Sequence, residues 1–232
     1  YNPNFYFAVD KAYGTENDYK EFVDECHKRG IAVLGDVVLN HAFGTNAMAR
    51  MYWNDINSRP ESNNPWFNIK TNFDNPGANW GNDFNHQSTH TQAFVDSVVN
   101  YWMTQFKIDG IRFDFTKGFG NTPYPNANCG DPWGGCYDAA RIALLKRMAT
   151  KMWAINNGAT GSAPIVIFEH LATLQEDKEL ADFGVLLWSG VSPNYKYSEI
   201  AMGYAPTPQD PNKSNISEAY YKNKTFNFAN WV

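Results

Sequence analysis

The stretch Gly110-Ile111-Arg112-Phe113-Asp114-Phe115-Thr116-Lys117-Gly118 decides the fold. An apolar run here closes on one carboxylate. The stretch Val166-Ile167-Phe168-Glu169-His170 does the same. Short apolar runs bounded by turn residues read as buried strands. A buried strand that delivers an acidic side chain at its C-terminal end is how a parallel β/α architecture builds a site.

The surroundings support that reading. Thr15 and Asp18 mark a helix start of the capping-box kind. Tyr19, Phe22, Val23 and Cys26 then recur at helical spacing until Gly30. Residues 31–41, rich in Val and Leu, predict a strand. Regular order resumes at Ser88, where Phe94, Val95, Val98, Val99, Trp102 and Phe106 form a helical stripe. Strands are predicted over 108–115, 164–171 and 185–188. A helix carrying Ile142, Leu145, Ala149, Met152 and Trp153 lies between the first two, and a short polar helix over 175–182 follows the second. A turn is expected over 158–162 and one more helix over 192–202. Alternating helix and strand argue for an α/β protein with a parallel sheet and helices outside it.

Residues 42–82 break the pattern. Asn, Pro, Trp and Gly dominate there, and neither the strand nor the helix period holds. A stretch that long without regular structure is functional or a small inserted domain. The division expected is 1–41 and 83–232 for the two parts of the main domain, with 42–82 inserted.

Composition narrows the function classes. The chain has 232 residues and a formal charge of -5. That length suits one large domain. No Lys/Arg stripe marks a nucleic-acid partner. No apolar run approaches the ~20 residues that span a bilayer. The first residues have neither the charged start nor the apolar core of a signal peptide. The chain also lacks an initiating Met, so its true N-terminus is expected upstream of Tyr1. Aromatic residues make up 16%, including 8 Trp and 13 Tyr. That content serves either sugar stacking or core packing, since aromatic rings bury large areas.

Of three cysteines, Cys26 reads as a core thiol. Cys129 and Cys136 bracket a Gly/Pro-rich loop, and whether they pair stays open at this stage. They lack the second Cys or His pair of a zinc site. Gly118-Phe119-Gly120 lacks the third glycine of a dinucleotide fingerprint. No Gly-x-Ser-x-Gly elbow occurs.

Several segments together resemble the α-amylase family, glycoside hydrolase family 13. Asp36-Val37-Val38-Leu39-Asn40-His41 is similar to the family's first conserved segment, Gly110 to Lys117 to the second, and Phe168-Glu169-His170 to the third. Asn82-Asp83-Phe84-Asn85 resembles the segment that closes the family's inserted domain B. Tyr1, Tyr6-Phe7-Ala8-Val9-Asp10 and Tyr13-Gly14 resemble the segment after barrel strand two.

The resemblance implies a (β/α)8 TIM-barrel type of fold, here an incomplete barrel of about strands three to six with an inserted domain B. It implies Asp114 as nucleophile and Glu169 as general acid/base of a retaining hydrolase acting on α-1,4-glucan oligosaccharides or polysaccharides. Two carboxylates can divide that chemistry, at a separation near ~5–5.5 Å for retention. Arg112 lies two residues before Asp114, so both side chains leave the same side of the strand. A guanidinium there favours the ionised nucleophile. Glu169 needs the opposite, a raised pKa that keeps its proton. His41 and Tyr1 resemble contacts to the sugar beside the scissile bond, and Lys117 a contact on the leaving-group side. Asn40, Asp83 and the Gly118 carbonyl resemble the ligands of a calcium ion, and hard oxygen donors suit that ion.

The same residues serve transglycosylases and cyclodextrin- or pullulan-degrading relatives, and a glucan-binding fragment without turnover is the rival from another class. The family's third carboxylate, an Asp in a fourth segment at strand seven, has no match between Tyr1 and Val232. The chain is therefore expected to be a truncated barrel, weak or inactive alone, and prone to self-association through open strand edges. The resemblance favours an extracellular or periplasmic location.

Overall fold

A computed structural model describes residues 2–71, 73, 80–122, 131, 133–155, 163–188, 198–211 and 213–214. Its centre is a four-stranded parallel sheet in the order β1-β6-β7-β8. These strands are Leu34–Val37, Gly110–Phe113, Ile165–Glu169 and Leu186–Trp188. Helices α1 (Glu16–Lys28), α3 (Thr89–Gln105), α4 (Ala139–Trp153) and α5 (Leu174–Phe183) alternate with them. Among the described residues the sheet does not close on itself, and β1 and β8 are its edges.

Local chemistry sets these elements. Thr15 caps α1 with a reciprocal box: its hydroxyl accepts from the Asp18 N–H at 3.3 Å, and Asp18 accepts from the Thr15 N–H at 2.6 Å. Ser88 caps α3, and Asp138 caps α4. Helix α3 buries Val95, Val98, Val99 and Met103 against the sheet, at the spacing of one helical face. All four residues of β6 are buried, as a central parallel strand requires. At Gly110 the approach of β7 leaves no room for a side chain, because a Cβ would stand 2.2 Å from the Ile165 carbonyl oxygen.

The strands are shorter than the sequence predicts. Residues 38–41 leave the sheet after Val37, and β2 (His41–Ala42) pairs antiparallel with β5 (Asn82–Asp83). Strand β6 stops before Asp114 because Phe115 turns left-handed, at φ 48°. Leu171 does the same after β7, at φ 53°. The stretch 42–82 also carries short elements that no sequence period reveals. They are α2 (Ala47–Met51), capped by Asn46, and the hairpin of β3 (Trp53–Asn54) and β4 (Arg59–Pro60).

Cys26 is free and packs at the margin of the main core. Cys136 is disulfide-bonded. Cys129, the turn expected over 158–162 and the first part of the helix expected over 192–202 lie outside the described residues. Residues 198–201 are helical. No helix among the described residues is long and apolar enough to cross a membrane.

Candidate active site

The sheet register brings the two key strands' ends together. Phe113 pairs with Phe168, so Asp114 and Glu169 follow at adjacent positions on the same, C-terminal rim. Asp114 stays tethered to the sheet, donating its N–H to the Val37 carbonyl at 3.0 Å. Asp36 is in register with Arg112 on the other side. Three carboxylates thus surround one guanidinium. Arg112 Nη1 donates to Asp36 Oδ1 at 2.7 Å and to Asp114 Oδ1 at 2.8 Å, and Nη2 lies 2.9 Å from Glu169 Oε2. The Trp188 ring covers the guanidinium carbon at 4.8 Å.

Electrostatics follow from that arrangement. Burial pushes the Glu169 carboxyl above the usual carboxylate range. The Phe115 N–H, at 3.1 Å, and Arg112 oppose the rise, while Asp114 adds to it. Burial alone would lower the Arg112 pKa, but its three carboxylate partners outweigh it and raise it. Adjacent strands stand ~4.8 Å apart, which places the two backbones on the scale of the ~5–5.5 Å carboxyl separation of a retaining pair.

The Phe115 backbone is part of this geometry. A left-handed non-glycine residue is strained, and such strain collects where a site over-determines the backbone. Here the strained turn aims the Phe115 N–H at Glu169.

Behind the rim lies a buried charge network. His170, Glu176 and Arg141 are all buried. Glu176 accepts from Arg141 Nη2 at 2.9 and 2.7 Å, from the Asp138 N–H at 2.6 Å and from His170 Nε2 at 2.9 Å. Desolvation lowers the His170 pKa, against the pull of Glu176. Arg141 Nη1 also donates to the carbonyls of Lys117 and Gly134, and its Nη2 to that of Cys136. This network anchors the residue after Glu169 to the loop around Cys136.

The other expected residues fall as follows. His41 is buried, with Nδ1 3.1 Å from Asn40 Nδ2 and its ring 6.0 Å from that of Trp80. The Lys117 side chain is buried, with Nζ 5.5 Å from the Phe115 ring centroid. Burial lowers the Lys117 pKa, and Asp131 opposes this. Tyr1 lies outside the described residues.

Asn40 Oδ1 is buried without a hydrogen-bond partner among the described residues. Gly118 packs so closely on that oxygen that a Cβ there would stand 1.8 Å from it. Asp83 is a buried carboxylate whose pKa desolvation raises to about 8, and Asn68 Nδ2 donates to it at 2.7 Å. An orphaned amide oxygen and a buried carboxylate are the donor types calcium takes. The residues present therefore fit such an ion.

Sequence reasoning assigned no role to Asp36, Trp188, Glu176 or Arg141. Asp36 meets Arg112 only through the sheet register. Trp188 and the Glu176–Arg141 pair had no sequence signal either, since their contacts depend on tertiary packing.

A parallel β/α sheet with acidic residues on its C-terminal rim defines the class: this is an incomplete (β/α)8 barrel. The structure of Eubacterium rectale Amy13B superposes with a TM-score of 0.65 at 18% identity, over 98% of this chain and 45% of that one. Residues 1–93 match the family model described as alpha amylase, catalytic domain. Over residues 1–93 the chain is thus similar to the catalytic domain of the α-amylase family, and its curated relatives include branching and debranching enzymes. The 1,4-alpha-glucan branching enzyme GlgB of Aliivibrio fischeri is 30% identical over 66% of this chain and 21% of its own length. The chloroplastic isoamylase SU1 of Zea mays is 35% identical over 47% of this chain and 13% of its own length. The chain thus spans about a fifth or less of these curated relatives.

Proposed function

We propose that this chain supplies the nucleophile and the acid/base of a retaining enzyme that cleaves α-1,4-glucosidic bonds in starch or maltooligosaccharides. The observation that carries the reading is the single guanidinium of Arg112, bonded to both Asp114 and Glu169. In the first step Asp114 attacks the anomeric carbon. The glycosidic C–O bond breaks, and the Glu169 proton goes to the leaving oxygen. In the second step Glu169, now a carboxylate, takes a proton from water. That water attacks the anomeric carbon and releases Asp114. Arg112 holds Asp114 in the geometry for attack, and burial shifts the Glu169 pKa upward, the direction an acid needs. His41 and Tyr1 are assigned to the sugar beside the scissile bond, and Lys117 to the leaving-group side.

A second reading, transfer of the glycosyl unit to a sugar hydroxyl in place of water, is favoured by the branching-enzyme name of the Aliivibrio relative. The same residues carry both, because only the acceptor in the second step differs. Asn40, Asp83 and the Gly118 carbonyl would hold calcium, whose charge would pin the 42–82 segment to the sheet.

Asp114→Asn tests the core of the proposal. In the complete enzyme that contains this chain, reducing-sugar release from soluble starch is expected to fall by orders of magnitude, with little change in maltohexaose binding. The nucleophile acts in the transition state, whereas binding is spread over many contacts. Unchanged release in the variant rules out Asp114 as nucleophile.

A further inference from the structure

Glu169 is held by contacts that the mechanism above does not use. Phe115 donates its N–H to Glu169 Oε2 at 3.1 Å. The next residue, Thr116, donates its hydroxyl to the Glu169 carbonyl oxygen at 3.3 Å. Residues 115 and 116 therefore grip Glu169 at both ends, one at the carboxyl group and the other at the main chain. Thr116 is fully buried, where a hydroxyl is costly unless it is bonded.

His170 completes the grip. Its N–H donates to the Trp188 carbonyl at 3.2 Å, which ties the end of β7 to β8. The buried ring lies between two side chains: Nδ1 is 3.1 Å from Thr116 Oγ1, and Nε2 is 2.9 Å from Glu176 Oε2. A carboxylate only accepts, so Nε2 carries a proton and Nδ1 is turned to Thr116. Glu176 is held in turn by Arg141 and the Asp138 N–H. A buried histidine with both nitrogens engaged is commonly a satisfied polar group and no more. Here the chain of bonds runs from two helices, α4 and α5, through the ring and the Thr116 hydroxyl to the main chain of Glu169.

We propose that Thr116 and His170 are positioning residues for Glu169. They fix its main chain, so that the Phe115 N–H and Arg112 meet the carboxyl group in the one rotamer that presents its proton to the leaving oxygen. The proposal rests on the acid/base reading of Glu169 above. Both residues are fully buried and offer no surface to a sugar, so their effect passes through Glu169. A reacting group misplaced by ~1 Å can cost about a hundredfold in rate. A misplaced acid spares a step whose leaving group needs no proton.

The complete enzyme that contains this chain is assayed on maltohexaose and, with azide present, on α-maltosyl fluoride. Fluoride leaves without a proton and azide attacks without a base, so the second substrate bypasses Glu169. Thr116→Val keeps the shape and removes the hydroxyl. It is expected to lower kcat on maltohexaose about tenfold, with KM and the fluoride rate within about twofold of wild type. His170→Gln keeps an amide for Glu176 and has no group at the Nδ1 position, and should show the same split. Thr116→Ser returns the hydroxyl and should recover most of the rate, which separates a missing bond from a misfolded rim. Glu169→Gln in parallel reads the acid/base assignment itself. If that variant loses maltohexaose turnover and keeps the fluoride rate, while Thr116→Val is unchanged on maltohexaose or loses both substrates equally, the positioning role is wrong and the acid/base reading stands. If Glu169→Gln loses both substrates equally, or neither, the acid/base reading falls and the positioning role falls with it.

Discussion

Replacing Glu176 by Gln isolates what the buried network behind the rim contributes. The wild-type carboxylate accepts four hydrogen bonds, two of them from Arg141, and neither partner reaches solvent appreciably. Gln keeps the shape but has one acceptor oxygen. Its amide nitrogen would face donors, and the Arg141 charge would lose its counter-ion inside the protein. Breaking a buried pair from one side costs about 3–5 kcal/mol, because an uncompensated charge remains. For a chain of this size each kcal/mol shifts the unfolding midpoint by ~2–4 °C, so a fall of about 6–20 °C is expected. Thermal unfolding followed by circular dichroism reads this directly. The double variant Arg141→Met/Glu176→Leu leaves no charge alone and should lose less than the two single variants together. Single variants within ~1 kcal/mol of wild type, or a double variant as damaging as the sum, would refute the argument.

Two further outcomes follow from close contacts. Gly110→Ala places a methyl group against the Ile165 carbonyl, and overpacking of this kind costs about 1–3 kcal/mol or more; an unchanged urea midpoint would contradict the β6–β7 register. Calcium added after chelation should raise the unfolding temperature of the wild-type chain and not of Asp83→Asn, by ~2.7 kcal/mol at a hundredfold excess over Kd. Equal responses of the two chains would remove Asp83 from the proposed ion site.

The four strands of the sheet were legible because each is a short apolar run between breakers. The run from Ile108 to Phe115 and the run from Pro164 to Leu171 both contain the observed strands. Their ends were not legible. Phe115 and Leu171 adopt left-handed backbone that no propensity assigns to a bulky side chain, and tertiary contacts impose it. The pairing of β2 with β5 was hidden for the same reason: two residues per strand carry no period, and their partners lie far apart in the chain. The placement of Arg112 beside Asp114 was readable from the two-residue spacing alone. Its simultaneous contact with Asp36 and Glu169 needed the sheet register.

The sheet register also bears on the order in which the molecule comes together. The bond from Arg112 to Asp36 joins residues 76 apart in sequence, and that from Phe115 to Glu169 joins residues 54 apart. The capping box of α1 closes over three residues. Loop closure must be met before distant contacts return any stabilisation, and topologies dominated by such contacts fold slowly. Helices can therefore form from local signals well before any carboxylate meets Arg112. The rim is a late product of folding: a chain with its full helical content can still have no site.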